Sequence, residues 1–185
     1  MKKLLFLLLS IGLINYVFAD FNDGIDAAQK GDFKTAFKEW ILLAEQGDAE
    51  AQASLGLLYF YGDGVNQSHK KAIYWYEKSA IQGNSSGQFN LGFMYDRGFG
   101  TSKNKNKAIN LYTKSAEQGD ANAQSNLGML YLFDGNFKKA ISWIHKSVEQ
   151  EHAEAQYLLG YAYFHGYGVK QSNKKAHKWF IKSAK

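Results

Sequence analysis

The sequence predicts an all-α fold, a solenoid in which antiparallel helix pairs stack one on the next. First, an eleven-residue pattern, Ala-x-Ala-Gln-x-x-Leu-Gly-x-x-Tyr, occurs four times, with its glutamines 36, 36 and 32 residues apart. Second, each copy continues into Lys-Ala-x-x-x-x-x-Lys-Ser with Tyr or Trp among the five middle residues, and both patterns place apolar residues on one side of a helix. Third, glycines separate the two patterns, as expected where one helix ends and the next begins. Repetition at this period is typical of solenoids.

Residues 1–19 have the pattern of a secretory signal peptide. Lys2 and Lys3 precede an apolar run from Leu4 to Ile14, and small residues occupy positions −3 and −1 before Asp20. The run is shorter than the roughly 20 residues of a membrane span, and no cysteine follows that could carry a lipid. We therefore expect an exported bacterial protein, periplasmic or alternatively secreted. A retained N-terminal anchor is the competing interpretation.

The rest of the chain divides into five helix pairs. A segment from Gly31 to Asp48 matches only the second pattern, so residues 20–48 form a degenerate leading pair. Four full units follow, at residues 49–84, 85–120, 121–152 and 153–185. The third unit has a shorter turn between its helices, and Gln150-Glu151 replaces the Gln-Gly that ends the other units. We expect an altered stacking angle between the third and fourth pairs.

Each unit is predicted to contain two helices. In the first unit, Ala51, Leu55 and Tyr59 recur at i, i+4 and i+8, and Ala72 and Tyr76 mark the equivalent stripe of the second helix. The glycine of the Leu-Gly pair lies inside the first helix, where glycine costs about 1 kcal/mol relative to alanine. Its recurrence in all four units predicts a close contact between helix backbones at Gly56, Gly92, Gly128 and Gly160.

These motifs resemble the Sel1-like repeat family, which is related to the tetratricopeptide repeat. The resemblance covers about residues 31–185. It implies a right-handed α/α superhelix in which the first helix of each pair lines the concave side. It also implies a protein-interaction scaffold, with a protein or peptide bound in the concave groove.

The tetratricopeptide register then assigns the groove-facing positions. Eight of them are the candidate binding residues: Tyr61, Phe89, Phe93, Arg97, Phe133, Tyr157, Tyr161 and His165. Aromatic rings with polar tips suit an extended peptide, and Arg97 suits a carboxylate. The other inward positions are Ala53, Leu57, Phe60, Asp96, Ser125, Met129, Leu132 and Phe164. About half of all these positions are expected to pack against the neighbouring repeat instead.

The composition excludes several kinds of chemistry. Without cysteine, the chain has no disulfide framework, thiolate zinc site, iron–sulfur cluster or cysteine nucleophile. Motifs of serine hydrolases, phosphate loops and zinc peptidases are also missing, and the five histidines show no metal-ligand spacing. We therefore predict no enzyme, no cofactor and no metal. Some secreted, cysteine-rich members of the family that the motifs resemble are associated with β-lactams, but their cysteines are missing here.

The charge of the chain is only mildly basic. The formal net charge is +5, and +3 after removal of Lys2 and Lys3, which does not favour nucleic acid. Lysines cluster at the start of each second helix, at Lys70-Lys71, Lys103/Lys105/Lys107, Lys138-Lys139 and Lys174-Lys175. They form either an ordinary solvated face or a ridge for anionic lipid, glycan or an acidic partner.

The last predicted helix carries apolar residues with no unit after them. Trp179, Phe180 and Ile181 either pack inward on their own pair or form a face for a partner or a second copy of the chain.

The sequence thus favours an exported repeat scaffold that binds proteins through its concave groove. The alternatives are a module that binds peptidoglycan or another glycan, a secreted hydrolase of β-lactamase type, and an effector directed at host proteins.

Overall fold

The computed structural model describes residues 19–184 and folds them into ten α-helices. In chain order these are α1 (Phe21–Gln29), α2 (Phe33–Glu45), α3 (Ala49–Tyr61), α4 (His69–Ile81), α5 (Ser85–Arg97), α6 (Lys105–Glu117), α7 (Ala121–Phe133), α8 (Phe137–Glu149), α9 (Ala153–His165) and α10 (Asn173–Ser183). This part of the chain contains no strand, and none of its helices has the length and apolar character to cross a membrane. Except for Ala19, the predicted signal peptide lies outside the described residues.

Consecutive helices pack as antiparallel pairs. Each odd-numbered helix packs against the even-numbered helix that follows it, and each even-numbered helix contacts the first helix of the next pair. In addition, α3 contacts α5 and α7 contacts α9, which places these first helices on the inner side of the stack. The predicted all-α superhelix of stacked antiparallel pairs is confirmed.

Polar side chains define where the helices of the four full units begin. Each accepts a hydrogen bond from the backbone N–H three residues later, which satisfies a donor that the helix itself leaves unpaired. The first helices are capped by Asp48, Asn84, Asp120 and His152. The second helices are capped by Ser68, Asn104, Asn136 and Ser172. Eight local signals in the sequence therefore fix the helix starts.

Inside each full unit, the Leu-Gly glycine lies directly under a large side chain of the second helix. A Cβ atom added to Gly56 would lie 2.3 Å from Cε1 of Tyr76, and one added to Gly160 would lie 2.7 Å from Cδ1 of Phe180. The same contact pairs Gly92 with Tyr112 and Gly128 with Ile144. The close contact predicted from the recurring glycine is therefore present, but it joins a backbone to a side chain rather than two backbones.

The serine that ends the second pattern ties the two helices of a unit together. Ser79 Oγ donates to the carbonyl of Ala49, the first residue of α3, at 2.7 Å. Ser115 and Ser147 donate equivalently to Ser85 and Ala121, at 3.0 and 2.8 Å. All three serines are fully buried, so the hydroxyl is satisfied inside the protein.

Two glutamines per unit bond to each other across the helix pair, and the first of them also bonds to the pair before it. Gln52 Nε2 donates to the carbonyl of Ala44 in α2 at 3.0 Å, and Gln52 Oε1 accepts from Gln82 Nε2 at 2.8 Å. The next two units repeat the glutamine pair, with Gln118 donating to Gln88 and Gln150 donating to Gln124. Because Gln52, Gln88 and Gln124 are buried, their amides must find partners within the protein, and these bonds set how one pair sits on the next.

The junction before the fourth unit keeps the turn but changes the hydrogen bonding. Glu151 has φ of 60°, the left-handed conformation that Gly47, Gly83 and Gly119 adopt at the other junctions. Gln156 Nε2 donates to the Glu151 carbonyl at 3.0 Å, whereas Gln52, Gln88 and Gln124 each bond to the last turn of the preceding helix. The absence of glycine at this junction therefore leaves Glu151 with a strained backbone conformation and gives Gln156 a different hydrogen-bond partner.

The apolar residues of α10 are not all turned outward. Trp179 is half-buried and packs against the cluster around Leu159. Phe180 is also half-buried, against Gly160 and Tyr157. Ile181 is 50% exposed. Inward packing thus holds for Trp179 and Phe180 but not for Ile181.

Half of the lysine cluster has a structural contact. In each full unit, the lysine of the Lys-Ala motif lies over the tyrosine of the Leu-Gly-x-x-Tyr motif, with Nζ between 4.6 and 5.4 Å from the ring centre. The four pairs are Lys71–Tyr59, Lys107–Tyr95, Lys139–Tyr131 and Lys175–Tyr163. These lysines contribute cation–π contacts to the pairing of the two helices. Lys105, by contrast, forms an ion pair with Asp134.

Charged residues are distributed unequally between the two edges of the solenoid. We define the basic edge as the turns inside the pairs with the five adjoining residues of each helix. Its thirteen basic residues are Lys30, Lys34, Lys70, Lys71, Arg97, Lys103, Lys105, Lys107, Lys138, Lys139, Lys170, Lys174 and Lys175. Its five acidic residues are Asp26, Asp32, Asp63, Asp96 and Asp134.

The opposite edge has the reverse balance. We define the acidic edge as the residues that precede each first helix, with the five adjoining residues of each helix. Its eleven acidic residues are Asp20, Asp23, Glu45, Asp48, Glu50, Glu77, Glu117, Asp120, Glu149, Glu151 and Glu154, against Lys78, Lys114, Lys146 and Lys182. A helix of this length separates the edges by about 20 Å, about twice the Debye length at physiological salt, so their fields do not cancel.

We predict that replacing Gly56 with alanine destabilises the protein by about 1–3 kcal/mol, because the new methyl group overlaps the Tyr76 ring and overpacking of this kind costs that amount. Tyr76 is fully buried. Urea denaturation followed by circular dichroism measures the change. Ser86→Ala, at an exposed position of α5, is the control and should change stability by less than about 0.5 kcal/mol. A Gly56→Ala protein as stable as the original would contradict the proposed contact.

We predict that Glu151→Gly stabilises the protein by about 1 kcal/mol, because it removes a left-handed conformation that is unfavourable for any residue with a side chain. Glu151→Gln is the matched control, since it removes the exposed ion pair with Lys182 but keeps the backbone strain. Its effect should be below about 0.5 kcal/mol. Equal melting temperatures for the glycine and glutamine variants would show that Glu151 is not strained.

Candidate functional site: two aromatic clefts

The concave face has two aromatic clefts, each between the first helices of two successive units. The N-terminal cleft, between α3 and α5, has a volume of about 220 Å³ and is lined by Leu57, Phe60, Tyr61, Tyr76, Phe89, Asn90, Phe93 and Met94. The C-terminal cleft, between α7 and α9, has a volume of about 560 Å³ and is lined by Met129, Leu132, Phe133, Gly135, Phe137, Tyr157, Leu158, Tyr161 and Tyr167.

The eight candidate residues divide evenly between these clefts. Tyr61, Phe89 and Phe93 line the N-terminal cleft, and the Arg97 guanidinium lies 5.6 Å from the centre of the Phe93 ring. The corresponding residues two repeats later are Phe133, Tyr157, Tyr161 and His165. The first three line the C-terminal cleft, and the His165 and Tyr161 rings are 4.4 Å apart. The chain therefore builds the same arrangement twice.

Aromatic packing largely fills the N-terminal cleft. Phe60 and Phe99 have ring centres 5.5 Å apart, and Phe93 packs against both, at 6.1 and 5.8 Å. The Arg97 side chain already has an acidic partner, because its Nε lies 3.5 Å from Oδ2 of Asp96. This pairing reduces the capacity of Arg97 to bind a second carboxylate. Burial raises the pKa of the Tyr76 hydroxyl well above its ordinary value, so this phenol stays neutral at the base of the cleft.

The C-terminal cleft is more open. The exposed fractions are 79% for Phe133, 53% for Tyr157 and 37% for Tyr161. Tyr167 forms one side of the cleft and stacks on Phe137, with ring centres 4.5 Å apart and planes 5° apart. The cleft volume lies within the range of about 300–1,000 Å³ that is usual for ligand sites, whereas the N-terminal cleft falls below it. Exposed aromatic rings around an open apolar cleft are typical of interaction surfaces.

The connection between the two helices of a unit also differs at the two clefts. Residues 62–68 connect α3 to α4, and Gln67 closes back on α3 by donating to the Phe60 carbonyl at 2.8 Å. Residues 134–136 make the corresponding connection between α7 and α8. Gly135, which has no side chain, lines the C-terminal cleft.

Sequence reasoning missed the aromatic residues that the turns contribute. Phe99 and Tyr167 are the middle residues of Gly-x-Gly turns, and both pack against the groove-facing rings. An aromatic residue at this position in two of the three turns was the available signal. Two inward positions are buried rather than open to the groove: Ala53 and Ser125.

The clefts offer apolar surface and a few hydrogen-bonding groups. Within residues 19–184, no three His, Asp or Glu side chains come close enough together to hold a metal ion. The polar groups at the C-terminal cleft are tyrosine hydroxyls and the His165 imidazole next to Tyr161. This combination suits binding by ring contacts, with hydrogen bonds that orient the ligand.

Comparison with protein families agrees with this architecture. The model of the Sel1 repeat matches residues 49–84, 85–120, 121–152 and 153–185, which is most of the chain. The chain belongs to the Sel1 repeat family. Sel1 repeats typically bind other proteins. Comparison with curated proteins gave no match.

Solved structures include other Sel1 repeat proteins. A protective antigen of uropathogenic Escherichia coli with an SLR fold is 37% identical, with a TM-score of 0.79; the match covers 88% of this chain and 41% of that chain. A Sel1 repeat protein from Oxalobacter formigenes is 34% identical, with a TM-score of 0.78, over 87% of this chain and 66% of that one. A sel1 repeat protein from Klebsiella pneumoniae shares the fold, with 22% identity and a TM-score of 0.61. The match covers 89% of this chain and 84% of that chain. This Sel1 repeat chain thus spans about two fifths of the length of the Escherichia coli protein and about two thirds of the length of the Oxalobacter formigenes protein.

We predict that the two clefts of this Sel1 repeat protein differ in access to an aromatic ligand. Met94 lines the N-terminal cleft and is fully buried, whereas Met129 is half-buried in the C-terminal cleft. In a protein labelled with ¹³C at the methionine methyl groups, N-acetyl-tryptophanamide should shift the Met129 signal and leave the Met94 signal in place. The C-terminal cleft is the larger of the two, and Met94 in the N-terminal cleft is fully buried, so a free indole ring should occupy the C-terminal cleft in preference.

Two tyrosine variants test where the indole ring binds. Tyr161→Ala removes a ring that lines the C-terminal cleft and should abolish the Met129 shift. Tyr74→Ala, on the second helix α4 and outside the lining of both clefts, should preserve it. Equal shifts of both methionine signals, or a shift that survives Tyr161→Ala, would contradict the difference in access.

Proposed function

We propose that this Sel1 repeat protein is an exported scaffold that binds an extended polypeptide along its concave face, through both aromatic clefts. The observation that carries the proposal is the repetition of one arrangement, Tyr61/Phe89/Phe93/Arg97 and Phe133/Tyr157/Tyr161/His165, on the same face. A single cleft suits a small molecule. Two equivalent clefts in line suit a ligand that is itself a chain.

The spacing of the clefts limits the ligand. They are two repeats apart, and successive packed helices lie about 10 Å from each other, so the clefts are separated by about 20 Å. An extended peptide advances about 3.3 Å per residue. The proposed ligand therefore carries two large apolar side chains about six residues apart, one for each cleft.

The polar groups would orient this ligand. Arg97 and Asp96 lie together at the N-terminal cleft, where they can pair with a backbone or with a charged side chain of either sign. Tyr157 and Tyr161 present hydroxyl groups at the C-terminal cleft, where their rings are exposed. Hydrogen bonds of this kind would fix the orientation of the ligand, while the rings would supply most of the affinity.

We propose binding rather than catalysis as the role of the clefts. The lining residues are aliphatic, aromatic and amide side chains with one glycine, and catalysis requires a nucleophile or acid–base pair that converges on one point. We accordingly expect no cofactor. The proposal of export rests on the basic start, apolar run and cleavage pattern of residues 1–19, and it makes the periplasm the expected location.

This function is tested by selecting ligands from a displayed library of random peptides about ten residues long. The protein used to select them is recovered from the native periplasm. The mass of that protein should correspond to a chain beginning at Asp20. Selected peptides should carry two large apolar residues about six positions apart. Tyr61→Ala and Tyr157→Ala should each weaken binding of a selected peptide by tenfold or more, as expected when a central aromatic contact is lost.

Tyr74→Ala provides the matched control for the loss of a ring. Tyr74 is 52% exposed and Tyr157 is 53% exposed, but Tyr74 lies on the second helix α4. Its replacement should leave peptide affinity unchanged, and all variants should have equal melting temperatures. Equal binding by every variant would refute the concave site. Failure to select peptides, together with sedimentation on purified peptidoglycan, would favour the glycan-binding alternative.

A further inference from the structure

The lysines of the basic edge occupy an unfavourable position for helix stability. In α4, α6, α8 and α10 they lie in the first turn, and none of these turns contains an acidic residue. The N-terminus of a helix carries a partial positive charge, so cations there are destabilising. Helix stability therefore does not explain why basic residues recur at this edge in all four units.

Stacking on tyrosine explains some of these lysines but not all of them. Lys71, Lys139 and Lys175 lie over tyrosine rings. The lysines immediately before them (Lys70, Lys138 and Lys174) are exposed and form no ion pair or ring contact among the described residues. Three units thus have a second lysine, at the equivalent position, to which no structural contact assigns a role.

Exposed aromatic rings accompany the charge. Tyr61, Phe133 and Phe164 lie in the last turns of α3, α7 and α9, next to the lysines of the basic edge, and are 64%, 79% and 48% exposed. Phe164 is not part of the lining of either cleft, so peptide binding does not account for it. Rings of this kind sit favourably at the boundary between lipid headgroups and acyl chains.

We propose that the basic edge binds the surface of an anionic phospholipid bilayer. Thirteen basic residues against five acidic ones provide charge complementarity along the edge, and the rings provide the apolar contact that stable attachment needs besides charge. The acidic edge then faces away from the lipid, and the concave clefts open sideways. Tyr61 and Phe133 also line the clefts, so the lysines and Phe164 are the residues that test this inference separately from the proposed peptide binding.

A bilayer accounts for more of these observations than the other anionic partners do. The acidic edge of a second copy offers opposite charge, but it gives no reason for exposed rings among the lysines. A soluble polyanion likewise uses the lysines and leaves the rings in water. Both remain as outcomes that the following experiment distinguishes.

The experiment measures sedimentation of the protein with vesicles. Vesicles with about 30% phosphatidylglycerol in phosphatidylcholine should bind the protein at about 50 mM salt, and less at about 500 mM, where screening is strong. Pure phosphatidylcholine vesicles should bind little. The full chain and residues 20–185 are both measured, since an apolar leader would add binding that does not depend on lipid charge.

Two triple variants with the same net charge locate the surface. Lys70→Glu, Lys138→Glu and Lys174→Glu together change the basic edge. Each lysine near an anionic surface strengthens binding about fivefold, so this variant should lose at least about 100-fold. Lys78→Glu, Lys114→Glu and Lys146→Glu change the acidic edge and should lose less than about threefold, because they lie beyond the Debye length.

Single ring variants test the apolar contact. Phe164→Ala should weaken vesicle binding about threefold to tenfold, while Tyr74→Ala, a ring of similar exposure on α4, should have no effect. Equal losses in both triple variants, or equal binding to neutral vesicles by residues 20–185, would overturn the proposal. So would self-association at low salt without vesicle binding, which indicates the acidic edge of a second copy, or binding to polyphosphate alone, which indicates a soluble polyanion.

Discussion

Contact between a glycine of the first helix and a large side chain of the second determines the separation of the helices in each full unit. Gly56 leaves room for the Tyr76 ring to rest on the α3 backbone, and at that separation the Ser79 hydroxyl reaches the Ala49 carbonyl. Gln52, Gln88 and Gln124 then bond to the last turn of the preceding pair, which joins each unit to its predecessor. Close approach within a pair is thus the condition for the regular stack.

A regular stack sorts the side chains of the first helices into two classes. Positions that touch the partner helix are constrained to be alanine, leucine, glycine or tyrosine, because they fill the space within a pair. Positions on the inner side are free to vary, and their variation makes one cleft nearly full and the other open. The proposed function therefore depends on the positions that vary between the units.

The solenoid presents its chemistry on separate surfaces. Rings collect on the concave face, where neighbouring first helices meet, while charge collects along the two edges, where helices end. Because the edges are about 20 Å apart, the charges of one edge are screened from those of the other. This separation is a property of the architecture, since antiparallel pairing places all turns of one kind on the same side.

By itself, the sequence determined the helices, their pairing and their repeat, because the helical period, the caps and the recurring glycine are local signals that act within one unit. It also predicted two sets of groove residues, since the repeat places equivalent residues on equivalent faces. Only the tertiary structure decided that Tyr157 is open while Ser125 is buried, that Phe99 and Tyr167 reach the groove from the turns, and that the charges divide between two edges. These features depend on distances between helices of different units, which no short stretch of sequence encodes.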